Sequence, residues 1–311
     1  MSEISIKKLN EKMTDNPIET VSASEKRYKD LIWDIAKRIA TDDRIKIVLL
    51  AGPSGSGKTT SANLICDAVS SLGKESLVVS LDDFYRDAKD PLYPKQPSGE
   101  RDYEAPEALD IPFLKETLSN IVAKNSFSLP KYDFRVGGRV SVIKRDKMER
   151  GCVIIEGLHA LNPIVYDELP RDTTYKIFIS VSTNITSGCV RLISGRKMRF
   201  IRRMVRDNLY RASSAERTLS MWENVLLGED KYLYPFRNNA DISFDTFHAF
   251  ELAVMKPYAI KLISDELAQK NAYAKTVKRA LSASVSVSDD IVPNDSLIRE
   301  FIPGGIYERL Y

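Results

Sequence analysis

Four residues separate Gly52 from Gly57 in Gly52-Pro53-Ser54-Gly55-Ser56-Gly57-Lys58-Thr59, and a further hydroxyl follows at Thr60. That spacing suits phosphate. Glycines let successive backbone N–H groups turn inward and form an anion nest at the positive end of a following helix. Lys58 adds a mobile cation for the β- and γ-phosphates, and the Thr59 hydroxyl can ligate magnesium. The flanks agree: Ile45 to Ala51 reads as a strand buried on both faces, and Lys58 to Ser71 as a helix ending near Gly73. Residues 52–60 are therefore expected to bind ATP with Mg2+. Such a loop serves kinases, GTPases and motors alike, but the Asn-Lys-x-Asp stretch that reads guanine is absent.

Two more apolar runs end in acids. Glu75 to Leu81 leads into Asp82-Asp83-Phe84-Tyr85, and Cys152 to Ile155 into Glu156-Gly157. In a parallel sheet the strand C-termini face the ligand crevice, so these acids should meet the phosphate loop there. Asp82 could take a hydroxyl proton from an acceptor and help hold Mg2+; Thr59 and Glu156 would complete the metal's protein ligands. Simple capping of the next segment is the other reading of Asp82 and Asp83. A third constellation is basic. Between Arg196 and Arg211 stand seven basic residues and one acid, Asp207. Arg199, Arg202, Arg203 and Arg206 share one helical face, as groups that clamp phosphate oxygens should. A surface or RNA-binding helix is the alternative.

The elements that must position these groups alternate between strand and helix. A loose polar arm is expected over residues 1–25, then an amphipathic helix through Tyr28, Leu31, Ile32, Ile35, Ala36 and Ile39. Residues 86–106 form an excursion rich in Pro, Asp and Tyr, after which Asp110 caps a helix with Pro112 in its first turn. Extended segments are expected at Phe127 to Phe134, Tyr175 to Val181 and Asp241 to Phe244, with helices at Arg196 to Arg211, Ala215 to Leu227 and Phe247 to about Gln269. Residues 271–311 read as loop and tail. The pattern implies one α/β domain, a mostly parallel sheet covered by helices on both faces.

Composition narrows the partners. Lys and Arg total 46 against 43 acidic residues, so the net charge is only +3 and bulk binding to nucleic acid is not expected. No apolar stretch approaches membrane-spanning length, and the first residues lack the apolar run of a signal peptide. Three widely spaced cysteines, Cys66, Cys152 and Cys189, show neither metal nor redox spacing, which fits a reducing cytosol. A soluble cytoplasmic protein is expected. Homo-oligomerisation is left open.

Taken together, Gly52 to Thr59, Asp82-Asp83-Phe84-Tyr85-Arg86, Tyr132-Asp133-Phe134 and Glu156-Gly157 resemble the uridine kinase/phosphoribulokinase family, over roughly residues 44–270. Arg202 to Asp207, Gly228-Glu229-Asp230-Lys231-Tyr232 and the tail from Pro293 to Phe301 resemble its bacterial uridine kinase-like members. The resemblance implies a P-loop NTPase fold over residues 26–270 with a helical lid at about 196–228. It implies transfer of the ATP γ-phosphoryl to a small acceptor, with a pyrimidine nucleoside 5′-hydroxyl as the first choice. Asp82 then matches the catalytic base, and Lys58, Arg203 and Arg206 neutralise charge. Tyr85, Glu104, Tyr132 and Phe134, with Arg203, would line the acceptor pocket, Glu104 standing where the family has a ribose-gripping Asp. Two positions depart. Gly137 stands where animal-type members carry a base-reading His, and Ala212 replaces the Gly that usually follows the last lid arginine. Arg135 and Arg139 keep a sugar-phosphate acceptor open, and a non-catalytic nucleotide-binding regulator is the reading from another class. His159 and His248 are expected to be structural.

Overall fold

The computed structural model describes residues 2–95 and 99–308; Met1, residues 96–98 of the 86–106 excursion and residues 309–311 of the tail lie outside the described residues. Residues 1–25 depart from expectation at once. In place of a loose arm they form strand β1 (Glu3–Ser5), helix α1 (Ile6–Asp15) and the start of helix α2 (Pro17–Thr41). Ile6, Leu9 and Met13 recur at helical spacing and are buried, as is Val21. Polar composition had hidden a narrow apolar stripe. Pro17 opens α2, where its missing N–H leaves no helical bond unmade.

The central sheet consists of β2 (Ile47–Ala51), β3 (Glu75–Ser80), β6 (Gly151–Glu156), β7 (Thr174–Ser180) and β10 (Ile242–Asp245), ordered β10-β7-β2-β6-β3. Every pairing in it is parallel. Strand alternation divides the core into two. Val48, Leu50, Cys152 and Ile154 point to one face, beneath α2, α3 (Lys58–Ser71) and the C-terminal helices. Ile47, Leu49, Val153 and Ile155 point to the other, beneath α4 (Ile111–Val122). Asp110 caps α4 through the Phe113 N–H at 3.3 Å, as its sequence indicated. The register sets Leu50 beside Glu156 and Glu156 beside Ser80. The ends of β2, β6 and β3 therefore lie side by side on one edge.

Three additions surround this sheet. Strands β4 (Phe127–Asp133) and β5 (Gly138–Arg145) form an antiparallel hairpin before β6, and only the first was expected. The short helix α5 (Pro163–Tyr166) precedes β7, and the hairpin β8 (Asn184–Ser187) and β9 (Val190–Ile193) pairs in parallel with β1. Helices α6 (Gly195–Arg211) and α7 (Ala215–Tyr232) then cross the sheet's loaded edge. The long helix expected from Phe247 is instead broken into α8 (Glu251–Ala259) and α9 (Asp265–Lys270). Pro257 removes a donor inside α8, and Ser264 starts α9 afresh by accepting the Leu267 N–H at 3.0 Å. Nor is the C-terminal stretch only loop and tail. It contains α10 (Ala272–Ala283), and Leu297, Ile298, Phe301 and Ile302 are fully buried. No helix of the described residues is long and apolar enough to cross a membrane.

Helix α6 ends at Ala212, whose φ of +48° and ψ of 33° lie in the left-handed region. Glycine enters that region freely, whereas an L side chain meets the neighbouring carbonyl. Ala212→Gly should therefore stabilise the protein by about 0.5–1 kcal/mol after allowing for glycine's looser unfolded chain; a lowered urea midpoint would contradict this. Leu9→Ala should cost about 2–5 kcal/mol, as a buried leucine does elsewhere. If the unfolding midpoint barely moves, α1 is not part of the cooperative core.

Candidate active site

The phosphate loop connects β2 to α3. Gly55 and Gly57 take φ of +72° and +89°, and a Cβ on Gly57 would meet the Leu297 side chain at 2.6 Å. The loop is clasped from outside by two buried ion pairs. Glu229 accepts the Ser54 N–H at 2.9 Å and two bonds from the Arg199 guanidinium at 2.7 and 2.8 Å. Arg199 in turn donates to the Ser54 carbonyl at 2.8 Å. Arg202 donates to Glu251 at 2.6 Å, to the Thr246 carbonyl at 2.8 Å, and to the carbonyls of Gly55 and Ser56 at 3.3 and 3.4 Å. Burial pushes the Glu251 carboxyl up while the Arg202 charge pulls it down.

The arginine face of the sequence thus divides in two. Arg199 and Arg202 are sealed in the interior, and Arg203 and Arg206 line the cleft. Arg203 donates to the Ser54 hydroxyl at 2.8 Å. Asp207, the lone acid of this helix, holds Arg203 at 3.2 Å, Arg206 at 3.4 Å and Arg211 at 3.5 Å. Its part in spacing three cations was not anticipated.

The cleft measures about 220 Å³ and brings together Ser54, Gly55, Gly57, Lys58, Thr59, Asp82, Tyr85, Glu104 and Glu156 beneath Arg203 and Arg206. Gly52, Pro53, Ser56 and Thr60 complete the loop as buried residues behind that surface. Lys58 rests on the Pro53 carbonyl at 3.3 Å. Asp82 lies open to the cleft's solvent yet is crowded by protein, and that desolvation pushes its carboxyl up against the pull of Lys58. Burial drives Glu156 up to about 7, again opposed by Lys58. Thr59 Oγ1 donates to Glu156 Oε1 at 3.2 Å. Among the described residues no three His, Cys, Asp or Glu side chains cluster as a ready metal cage. A hydroxyl and two crowded carboxylates instead fit Mg2+, which fills the rest of its shell with water and phosphate oxygens. Asp83 turns away and binds the β4 strand, accepting the Tyr132 N–H at 3.3 Å.

On the far side of Asp82, the Tyr85, Tyr132 and Phe134 rings cluster with centroids 5.0–5.8 Å apart. Tyr85 faces the cleft, whereas Tyr132 and Phe134 stand behind it, with Phe134 61% exposed. Tyr85 Oη donates to the Tyr103 carbonyl at 2.8 Å. Burial pushes Glu104 up to about 7, against the pull of Arg203. Gly137 has φ of +70° in the turn between β4 and β5, a conformation that a histidine enters only with strain. Arg135 pairs with Asp133 at 2.9 Å, and Arg139 with Asp110 at 2.7 Å while covering the Phe113 ring. His159 is buried and bonded to the Glu104 backbone, outside the cleft, with its pKa lowered to about 4 by desolvation. His248, lowered to about 3 by the same cause, contacts the Thr246 carbonyl at 3.0 Å. Sequence reasoning gave no site role to Leu158, Val225, Glu229 or Glu300, all of which line the cleft, Glu300 reaching it from the tail.

A glycine-rich loop at the edge of a parallel sheet, flanked by strand-end acids and roofed by arginines, defines an ATP-dependent phosphotransferase of the P-loop class. The chain belongs to the Phosphoribulokinase / Uridine kinase family, whose model matches residues 47–253, about two thirds of the chain. It is 28% identical over 198 residues to a uridine kinase of Deinococcus deserti, covering 63% of this chain and 85% of that protein. It is 27% identical over 199 residues to a uridine kinase of Ureaplasma parvum, covering 63% and 86%. A solved structure from a Silicibacter species, described as a fructose transport system kinase, superposes with a TM-score of 0.50 at 19% identity. It covers 68% of this chain and 98% of that one, and shows the shared fold.

Removing one member of a buried ion pair strands the other's charge. Glu229→Gln, which leaves Arg199 unpaired, should therefore cost about 3–5 kcal/mol in urea unfolding and weaken nucleotide binding. A cost below about 1 kcal/mol, the ceiling usual for an exposed pair, would show that the clasp does not depend on its charge.

Proposed function

We propose that this chain transfers the γ-phosphoryl group of ATP to the 5′-hydroxyl of a pyrimidine nucleoside, uridine or cytidine. The observation carrying this proposal is the Tyr85 ring facing the same cleft as Asp82, Glu104 and the phosphate loop, with the Tyr132 and Phe134 rings packed behind it. A flat heterocycle can stack there while a neighbouring sugar meets acids. The uridine kinases among the relatives support it. So does the position of Arg135 and Arg139, which do not line the cleft where an acceptor's own phosphate would need them.

Residues 52–60 would hold the ATP phosphates, with Lys58 moving from the Pro53 carbonyl to the β/γ oxygens. Glu104 would grip the ribose hydroxyls. Asp82 would take the proton as the acceptor oxygen bonds to the γ-phosphorus and the bond to the β,γ-bridging oxygen breaks, releasing ADP. Thr59, Asp82 and Glu156 would hold Mg2+, which when bound offsets charge on the phosphate oxygens. Residues 196–228, expected as a lid over a core of residues 26–270, are pinned to the loop by the Arg199–Glu229 and Arg202–Glu251 pairs and would serve as a roof, with Arg203 and Arg206 stabilising charge on the transferring group. That roof would exclude water and suppress ATP hydrolysis. Asp207 would offset the mutual repulsion of these arginines until phosphate arrives.

Coupled ADP release over a panel of nucleosides, sugars and sugar phosphates tests the proposal. Uridine or cytidine should give the highest kcat/KM; turnover with sugar phosphates alone would replace the nucleoside, and no acceptor-dependent turnover would favour a binding protein. Asp82→Asn should lower kcat about 10²–10⁴-fold, the range of general-base catalysis, while ATP still binds. Turnover matching wild type would remove Asp82 from that role.

A further inference from the structure

Glu300 lies 240 residues from Thr60 in sequence, yet its carboxylate touches the first turn of α3. Oε2 accepts the Thr60 backbone N–H at 3.3 Å and the Thr60 hydroxyl at 3.0 Å. Oε1 accepts from Arg206 Nη1 at 3.4 Å. A backbone N–H at a positive helix end, an adjacent hydroxyl and an arginine are the donors that a phosphate group seeks. Glu300 is 4% exposed, and its segment is firmly seated. Leu297 packs on Gly57, the Phe301 ring lies 5.2 Å from the Arg202 guanidinium, and the Ser296 hydroxyl bonds to the buried Glu25.

We propose that Glu300 is a built-in anion of the nucleotide site. Its carboxylate holds the place of a phosphate group at the Thr60 end of the loop, and the side chain must swing out before nucleotide can seat. Two anions cannot share these donors, because each would lie against the other in a low-dielectric cleft. The cleft as it stands, about 220 Å³, is smaller than the roughly 300–1,000 Å³ of ordinary ligand pockets. Leu297, Ile298, Phe301 and Ile302 anchor the backbone, so the motion belongs to the Glu300 side chain alone. Nucleotide affinity is then lowered by the fraction of molecules in which the carboxylate is out. Glu300 also detains Arg206 Nη1, so its release turns that donor toward the bound phosphates while Asp207 keeps its hold on Nη2.

The inference rests on the phosphate loop being the nucleotide site. The test is calorimetric titration of the full chain with Mg-ADP, comparing wild type with Glu300→Gln and Glu300→Asp. With the competing carboxylate present in all but about one molecule in ten, the Gln variant should bind about tenfold more tightly. The Asp variant, its charge kept but withdrawn by one methylene, should fall between. Binding unchanged or weaker in the Gln variant would overturn the inference while leaving the loop's assignment intact; no binding by any of the proteins would overturn both. A crystal structure of wild type with ADP gives a check independent of the variants. It should show Glu300 Oε2 out of hydrogen-bonding range of the Thr60 N–H, and an intact bond beside seated ADP would refute the swing.

Discussion

The structure depends on how a loop of backbone amides is kept open to anions. Left alone, a chain rich in glycine would collapse its N–H groups onto nearby carbonyls or wander among many conformations. Here Glu229 accepts the Ser54 N–H, the Ser54 carbonyl accepts from Arg199, and the Gly55 and Ser56 carbonyls accept from Arg202. Both arginines are themselves neutralised by buried glutamates. Burying two such pairs is expensive in desolvation, and hydrophobic replacements often do as well for stability alone. What the pairs add is position: they fix the loop to α7 and to α6, the helix that brings Arg203 and Arg206 over the cleft.

Charge then organises the cleft around that loop. Asp82, Glu104 and Glu156 all sit in surroundings that favour the protonated carboxyl, with Lys58 or Arg203 as the opposing influence. Above them Asp207 holds three guanidinium groups that would otherwise repel one another. Cations and anions are thus each provisionally paired within the protein. On the proposed function, substrates that bring phosphate and metal would exchange these internal partners for external ones, so the gain in charge pairing would appear only when the site is loaded.

On the proposed function, the acceptor side is built differently, from shape more than charge. The β4–β5 hairpin supplies Tyr132 and Phe134, and the left-handed Gly137 turns the chain between its strands. A hairpin closed in this way has no room in its backbone geometry for an unstrained histidine at that position. Asp83 ties the hairpin to the end of β3, so the aromatic cluster and Asp82 are held by neighbouring residues of one short segment.

Much of this was legible beforehand wherever the information is local. The loop from Gly52 to Thr60 announces its conformation through glycine spacing, and Asp82 and Glu156 through their places at the ends of apolar strands. The parallel register then puts them side by side. The helical wheel placed Arg199, Arg202, Arg203 and Arg206 on one face but could not separate them. The acids that claim the first two lie 30 and 49 residues away, with no local mark on either. The stripe of Ile6, Leu9 and Met13 was too short to stand out from a polar arm. What the sequence by itself determined was the phosphate loop, the strand-end acids and the α/β class, because backbone freedom and hydrophobic period are written residue by residue. Only the tertiary structure decided which arginines line the cleft and which are sealed in the interior, and that a tail carboxylate reaches Thr60. Burial and pairing belong to contacts between segments far apart in the chain.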